Sequence, residues 1–282
     1  MIWTGDSPPH VPVPELSTDA VVKDQLPIAT SQVYDAVANL WKAWLDEEAL
    51  STLRKAGFYS QKVPGNPNLR IVSLNTNLYY GPNAVTLNQT DPAHQFEWLE
   101  NTLTSSQQNK EKVDPIDQFY GHMHRDSLMV LSDGEGRPVS SLFVSPAVTP
   151  VRNVLEKETN NPGVRLFQYN PGDYTLLDML QYYLNLTEAN LKGESNWKLE
   201  YSLTQTYGVG DLRPQSLYGL AKQFATPDSK QFVKYYNYFF VSYDSSVVCD
   251  EKCKALQICA IMNLDRASYS GCLQQHLGER RP

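Results

Sequence analysis

From residue 31 the apolar positions recur at helical spacing. Val33, Val37, Leu40, Trp41, Trp44 and Leu45 fall on one face of a helix that Ser31 opens, and the stripe reads as core packing. The helical pattern restarts at Asp46 and stops at Gly57, a glycine in the C-cap place. The period then shortens: 58–63 and 69–74 are strand-like, joined by the turn Pro64-Gly65-Asn66-Pro67. Asp91-Pro92 starts another helix, with the aspartate as cap and the proline in the first turn, and Phe96, Trp98, Leu99 and Leu103 lie along it. A short strand at 116–120 leads into Gly121-His122-Met123-His124, and 127–131 with 139–144 predicts a hairpin around Asp133-Gly134-Glu135-Gly136. Further strands are expected at 164–169 and 175–184. Beyond about residue 185 the character turns helical, with helices at 214–224, 229–243 and 254–264. At the other end, Met1 to Thr4 reads as the end of a buried strand running into Gly5-Asp6 and a proline-rich loop. Strands alternating with helices, followed by a helical tail, predict an α/β (α+β) chain: a mixed sheet core over 1–185 and a helical region over 186–282.

Composition supports a packed protein. Apolar residues are 41% and charged residues 20% of the 282, and seventeen tyrosines with five tryptophans require a folded environment. The net charge of −7 disfavours nucleic acid and anionic lipid as partners, yet leaves room for a phosphate-bearing substrate held by metal ions. There is no apolar run long enough for a membrane helix, and Ile2-Trp3-Thr4 after Met1 is not a secretory leader.

Four cysteines cluster late, at Cys249, Cys253, Cys259 and Cys272. An even, local set suggests two disulfides, with free thiols the alternative; C-x3-C and C-x5-C lack the paired spacing of zinc ribbons and fingers. The sequons at Asn88 and Asn185 also suit an exported glycoprotein. Disulfides and glycans without a leader suggest that the true N-terminus is missing.

The densest chemistry lies in Gly121-His122-Met123-His124-Arg125-Asp126. On extended chain, histidines at i and i+2 point to one side and suit metal ligation. Asp6, after a glycine at a strand end, could bridge two cations with its two oxygens. His10 could protonate a leaving group.

Together these elements resemble the calcineurin-like metallophosphoesterases. Trp3-Thr4-Gly5-Asp6-Ser7-Pro8-Pro9-His10, Asn39-Leu40-Trp41-Lys42, Gln95-Phe96-Glu97-Trp98-Leu99, Phe119-Tyr120-Gly121-His122-Met123-His124-Arg125-Asp126 and Leu177-Asp178-Met179-Leu180-Gln181-Tyr182-Tyr183-Leu184 are similar to the acid sphingomyelinase-like branch, over nearly the whole chain. The resemblance implies a two-sheet core flanked by helices, two zinc ions, export to lysosome or medium, and disulfides pairing Cys249 with Cys253 and Cys259 with Cys272. It implies Asp6 as bridging ligand, His122 and His124 on one metal each, His10 near the leaving group, and a small phosphodiester or nucleotide phosphate as substrate. The implied chemistry is attack on phosphorus by a metal-bridging hydroxide.

The chain also departs from the family. An Asp-x-His strand should precede Met1. A Gly-Asn-His-Asp motif should stand where Thr18 to Asp24 passes, and a further histidine before Gly121, where Glu111-Lys112-Val113-Asp114-Pro115 runs instead. This pattern reads as a truncated, internally deleted form whose central sheet would expose strand edges and apolar faces. Two functions follow: a metal-dependent phosphodiesterase, and a catalytically inactive secreted glycoprotein.

Overall fold

The computed structural model describes residues 30–80, 83, 86–111, 117–148 and 159–277. The strand expected at Met1 to Thr4 and the Asp6 loop lie outside them. The chain divides into two compact units, Met1–Asp114 and Pro115–Pro282.

In the first unit, α1 (Thr30–Trp41) and α2 (Glu47–Ala56) pack beside a hairpin of β1 (Tyr59–Val63) and β2 (Asn66–Ser73), and α3 (Gln95–Gln108) follows. The caps of α2 are those its sequence announces. Asp46 accepts a hydrogen bond from the Ala49 amide at 2.8 Å, and Gly57, at φ 76°, ends the helix by donating its N–H to the Leu53 carbonyl. Asp91 caps α3 across an intervening 3-10 turn, Pro92–His94, its two oxygens accepting from the Phe96 and Glu97 amides.

The buried face of α1 is rotated from the expected stripe. Tyr34 and Ala38 are buried and Val37, Trp41 and Leu45 partly so, whereas Leu40 and Trp44 are 72% and 69% exposed. Trp44 falls in the turn after the helix, where helical spacing no longer applies. Tyr34 is drawn inward by a polar partner, its hydroxyl accepting from Asn75 Nδ2 at 2.8 Å.

The second unit holds two three-stranded sheets. In one, β5 (Pro138–Val144) lies between β3 (Asp117–Tyr120), parallel to it, and β4 (Ser127–Ser132), antiparallel. In the other, β7 (Leu176–Leu184) lies between β6 (Gly163–Tyr169) and β8 (Trp197–Ser202), all antiparallel. Phe119, Phe143 and Phe167 meet edge-on and stacked, joining the two sheets. Around them run α4 (Leu186–Lys192), α5 (Leu203–Tyr207), α6 (Pro214–Ala225), α7 (Lys230–Phe239), α8 (Glu251–Met262) and α9 (Arg266–Leu277). One core joins Val130, Phe143, Met179 and Tyr201 of the sheets to Leu217, Phe224, Phe232 and Ile258 of the helices. This is the mixed α/β arrangement expected, with sheets flanked by helices.

Two expectations for the later chain need correction. The chain does not turn wholly helical after residue 185, because β8 completes the second sheet. Its pattern is inverted: Trp197 and Leu199 face solvent, while on the other face Lys198 pairs with partly exposed Glu188 and Glu200 turns inward to Ser242. A strand whose inner face carries charge gives no ordinary amphipathic signal. The helix expected to reach 243 stops at Phe239, because Val241 and Ser242 take left-handed backbone at φ 53° and 48°. The four cysteines form Cys249–Cys253 and Cys259–Cys272, fastening the start of α8 and joining α8 to α9. No free thiol remains.

Candidate metal centre

β3 and β4 both end on the same residue of β5. Tyr120 pairs with Val144 on one side and Ser127 pairs with it on the other. The six residues between, Gly121 to Asp126, therefore cross over the C-terminal end of β5, about two strand spacings or ~9.5 Å. This crossing carries both candidate histidines.

The crossing is not extended. His122 and His124 both have left-handed backbone, at φ 70° and 55°, and the Met123 amide donates to the Gly121 carbonyl at 2.9 Å in a tight turn. The premise that i and i+2 side chains share a face by strand alternation does not apply here. His122 and Met123 are exposed, His124 is half-buried, and Arg125 and Asp126 are buried.

What holds the loop is its second half. The Asp126 carboxylate accepts from an Arg165 guanidinium nitrogen on β6 and, at 2.7 Å, from the Tyr201 hydroxyl on β8. The Asp126 amide donates to the Phe239 carbonyl at the end of α7. Arg125 donates to Asn160 Oδ1 at 3.1 Å, and its guanidinium carbon lies 4.8 Å from the Phe240 ring centre. Arg165 also donates Nε to Gln181 at 2.7 Å, with its side chain 3% exposed. Four elements thus fix the residues beside His124.

The electrostatics of this cluster are tight. Burial pushes the Asp126 carboxyl up, while Arg165 and the Tyr201 hydroxyl pull the other way. Glu200, one residue before Tyr201, is pushed up to about 8 by burial, and the nearby Asp126 carboxylate adds to the effect. One guanidinium lies near two carboxyls, and it is bonded to Asp126. None of Asp126, Arg165, Tyr201 or Glu200 stood out as a site residue in the sequence. The available signal was an aspartate two residues after the second histidine.

Of the other residues singled out, Asp6 and His10 lie outside the described residues. Asn88 is exposed in a turn, and Asn185 caps α4, its side-chain oxygen accepting from the Glu188 amide. Among the described residues, the metal-type side chains that come within reach of one ion are Cys259, Cys272 and His276, but the two sulfurs are bonded to each other. His122 and His124 offer two imidazoles, a donor set that suits zinc, and an additional ligand would have to come from outside the described residues.

Residues 137–279 match the family model described as the acid sphingomyelin phosphodiesterase C-terminal region. The chain is 64% identical to the cyclic GMP-AMP phosphodiesterase SMPDL3A of Homo sapiens, over 98% of this chain and 76% of that protein. It is 63% identical to the protein of that name from Rattus norvegicus, over 98% and 77%. Against the acid sphingomyelinase-like phosphodiesterase 3b of Homo sapiens the identity is 35%, over 97% and 75%. The alignment with the first of these runs over 342 positions against the 282 residues present, so that relative carries at least 60 residues with no counterpart in the aligned span.

Proposed function

We propose that this chain, which belongs to the acid sphingomyelinase-like phosphodiesterases and is similar to the 3A members, is a metal-dependent phosphoric diester hydrolase acting on a small phosphodiester or nucleotide phosphate. Cyclic GMP-AMP, which the similar human protein is named for, is the first substrate to test. One observation carries this reading: an exposed His122 and a half-buried His124 sit on a loop whose Asp126 is bonded into the interior on three sides. Burial of Arg125 and Asp126 beside imidazoles that reach solvent is the arrangement expected of a ligand loop that must not move.

His122 and His124 would hold one zinc each, with Asp6 between the two ions and His10 beside the leaving group. Bound zinc supplies Lewis-acid stabilisation of charge on the phosphoryl oxygens. The chain's own part is to present the two imidazoles from a fixed loop and to keep Arg125 and Asp126 out of water. Two disulfides suit an oxidising compartment and support a reading of the protein as exported to the medium or the lysosome, with Asn88 and Asn185 as glycan acceptors.

The residues this chain lacks in its aligned span favour a second reading, a secreted glycoprotein that binds metal incompletely and does not turn over. Measuring zinc per chain and hydrolysis of cyclic GMP-AMP on monodisperse protein separates the two. About two zinc ions, and turnover that falls in Asp6→Ala and His124→Ala, supports the enzyme; absence of both zinc and turnover overturns it.

A further inference from the structure

We propose that Glu200 is a proton-operated latch on the histidine loop: its neutral carboxyl keeps the turn after α7 closed on residues 121–126, and ionisation releases both. The inference stands apart from any role of the histidines as ligands.

The latch is built from a carboxyl placed where a charge cannot be kept. Glu200 points inward from β8, where Oε1 accepts from the Ser242 hydroxyl at 2.6 Å and Oε2 is buried with no hydrogen-bond partner among the described residues. The ionisable groups facing it are Asp126 from the loop before β4, Arg165 from β6, Tyr207 from α5 and Tyr238 from α7. Arg165 is the sole cation in that set, and it is bonded to Asp126 and Gln181. A second negative charge would meet one hydroxyl donor, an unsolvated oxygen and the Asp126 carboxylate, and the attraction of Arg165 is smaller than the cost of burial and the repulsion from Asp126. Relief lies in turning the ionised carboxyl out to water, which an edge strand such as β8 permits, and which breaks the Ser242 contact.

The other half of the device is a strained turn. Val241, a β-branched residue, and Ser242 are both left-handed, a conformation that persists only where neighbours impose it. The turn is held by the Val241 and Ser242 amides, which donate to the Tyr238 and Asn237 carbonyls at 2.7 and 3.1 Å, by Glu200 and Asn237 on the Ser242 hydroxyl, and by Asn161, whose Nδ2 donates to the Val241 carbonyl at 3.0 Å. Immediately before the turn stand Phe239, whose carbonyl takes the Asp126 amide, and Phe240, whose ring lies under Arg125. Losing the Glu200 contact therefore loosens the turn, and with it the residues that hold Arg125 and Asp126. The buried carboxyl, which titrates near 8, sets where this occurs.

Hydrogen–deuterium exchange of the whole chain between about pH 6 and pH 9, corrected for intrinsic exchange rates, tests the latch on peptides covering 121–126 and 237–243. The expected result is a joint loss of protection, on the order of tenfold above about pH 8. Glu200→Gln should keep both segments protected throughout, and Ser242→Ala should expose both at every pH. Protection that ignores pH, an unchanged pH response in Glu200→Gln, or opening of 237–243 while 121–126 stays protected overturns the proposal. Should Glu200→Gln not fold, a 13C titration of the Glu200 carboxyl in the unmodified chain decides instead: a midpoint near that of a free glutamate sinks the latch, and one near 8 supports it.

Discussion

Tyr201 donates its hydroxyl to Asp126 at 2.7 Å, across 75 residues of sequence, and so ties the strand β8 to the loop that carries His122 and His124. The bond matters because Asp126 is a buried charge, and each donor it loses leaves an oxygen without solvent or partner.

Tyr201→Phe removes that donor and keeps the ring. The expected loss is about 1.5–3 kcal/mol of stability, the range for a hydrogen bond to a buried charged group. Arg165→Met should cost more, about 3–5 kcal/mol, because the carboxylate is then left without its cation. Urea unfolding followed by circular dichroism measures both.

The two units should respond to pH in opposite senses. In the second, the folded state raises the Glu200 carboxyl from 4.5 to about 8. Folding then binds a proton, so this stabilisation is complete below about pH 4.5 and is lost as pH rises through 8, on the order of 4 kcal/mol in all. In the first unit, Glu111 is lowered to about 2 by its hydrogen bond to Arg70 and then by Lys62. Its stabilisation is present above about pH 4.5 and disappears as pH falls towards 2. Unfolding midpoints across pH should slope downwards on the alkaline side for the second unit and on the acid side for the first. Glu200→Gln and Glu111→Gln should each flatten one slope and leave the other.

Gly57 and Gly65 separate strain from crowding. Both are left-handed, at φ 76° and 82°, but a Cβ at Gly57 would lie 2.7 Å from Tyr34 and Asn75, whereas one at Gly65 meets nothing within 4 Å. Gly65→Ala should cost about 1 kcal/mol for backbone alone, and Gly57→Ala about 1–3 kcal/mol beyond that for the collision. Thermal unfolding of the two variants should show the difference.

Reduction should weaken the C-terminal helices. Cys259–Cys272 closes a span of 13 residues and Cys249–Cys253 one of 4. By loop-closure entropy, cutting the first costs about 3 kcal/mol and the second about 2 kcal/mol. Cys272→Ser against Cys253→Ser, unfolded in urea, should rank them in that order.

What the sequence made legible was local. Asp46 and Gly57 mark α2 because a cap and a left-handed terminator are single-residue signals, and Asp133-Gly134-Glu135-Gly136 marks the hairpin for the same reason. The histidine pair was visible as chemistry. Its backbone was not, because nothing in Gly121-His122-Met123-His124 calls for left-handed histidines, and the contacts of Arg165, Tyr201 and Phe239 that hold the neighbouring Asp126 come from other elements. β8 was hidden because Glu200 and Lys198 occupy positions where apolar residues mark a strand. The α1 stripe misled because Leu40 and Trp44 have the right spacing but no neighbour among the described residues to bury them, while Tyr34 is claimed by Asn75.

The anchoring of the histidine loop also sets when it can take shape during synthesis. Its anchors emerge from the ribosome in the order Arg165, Tyr201, Phe239, all well after the loop itself. A nascent chain halted before α7 would hold both imidazoles with the Arg165 and Tyr201 anchors but without Phe239, so the loop is among the last parts of the second unit to mature.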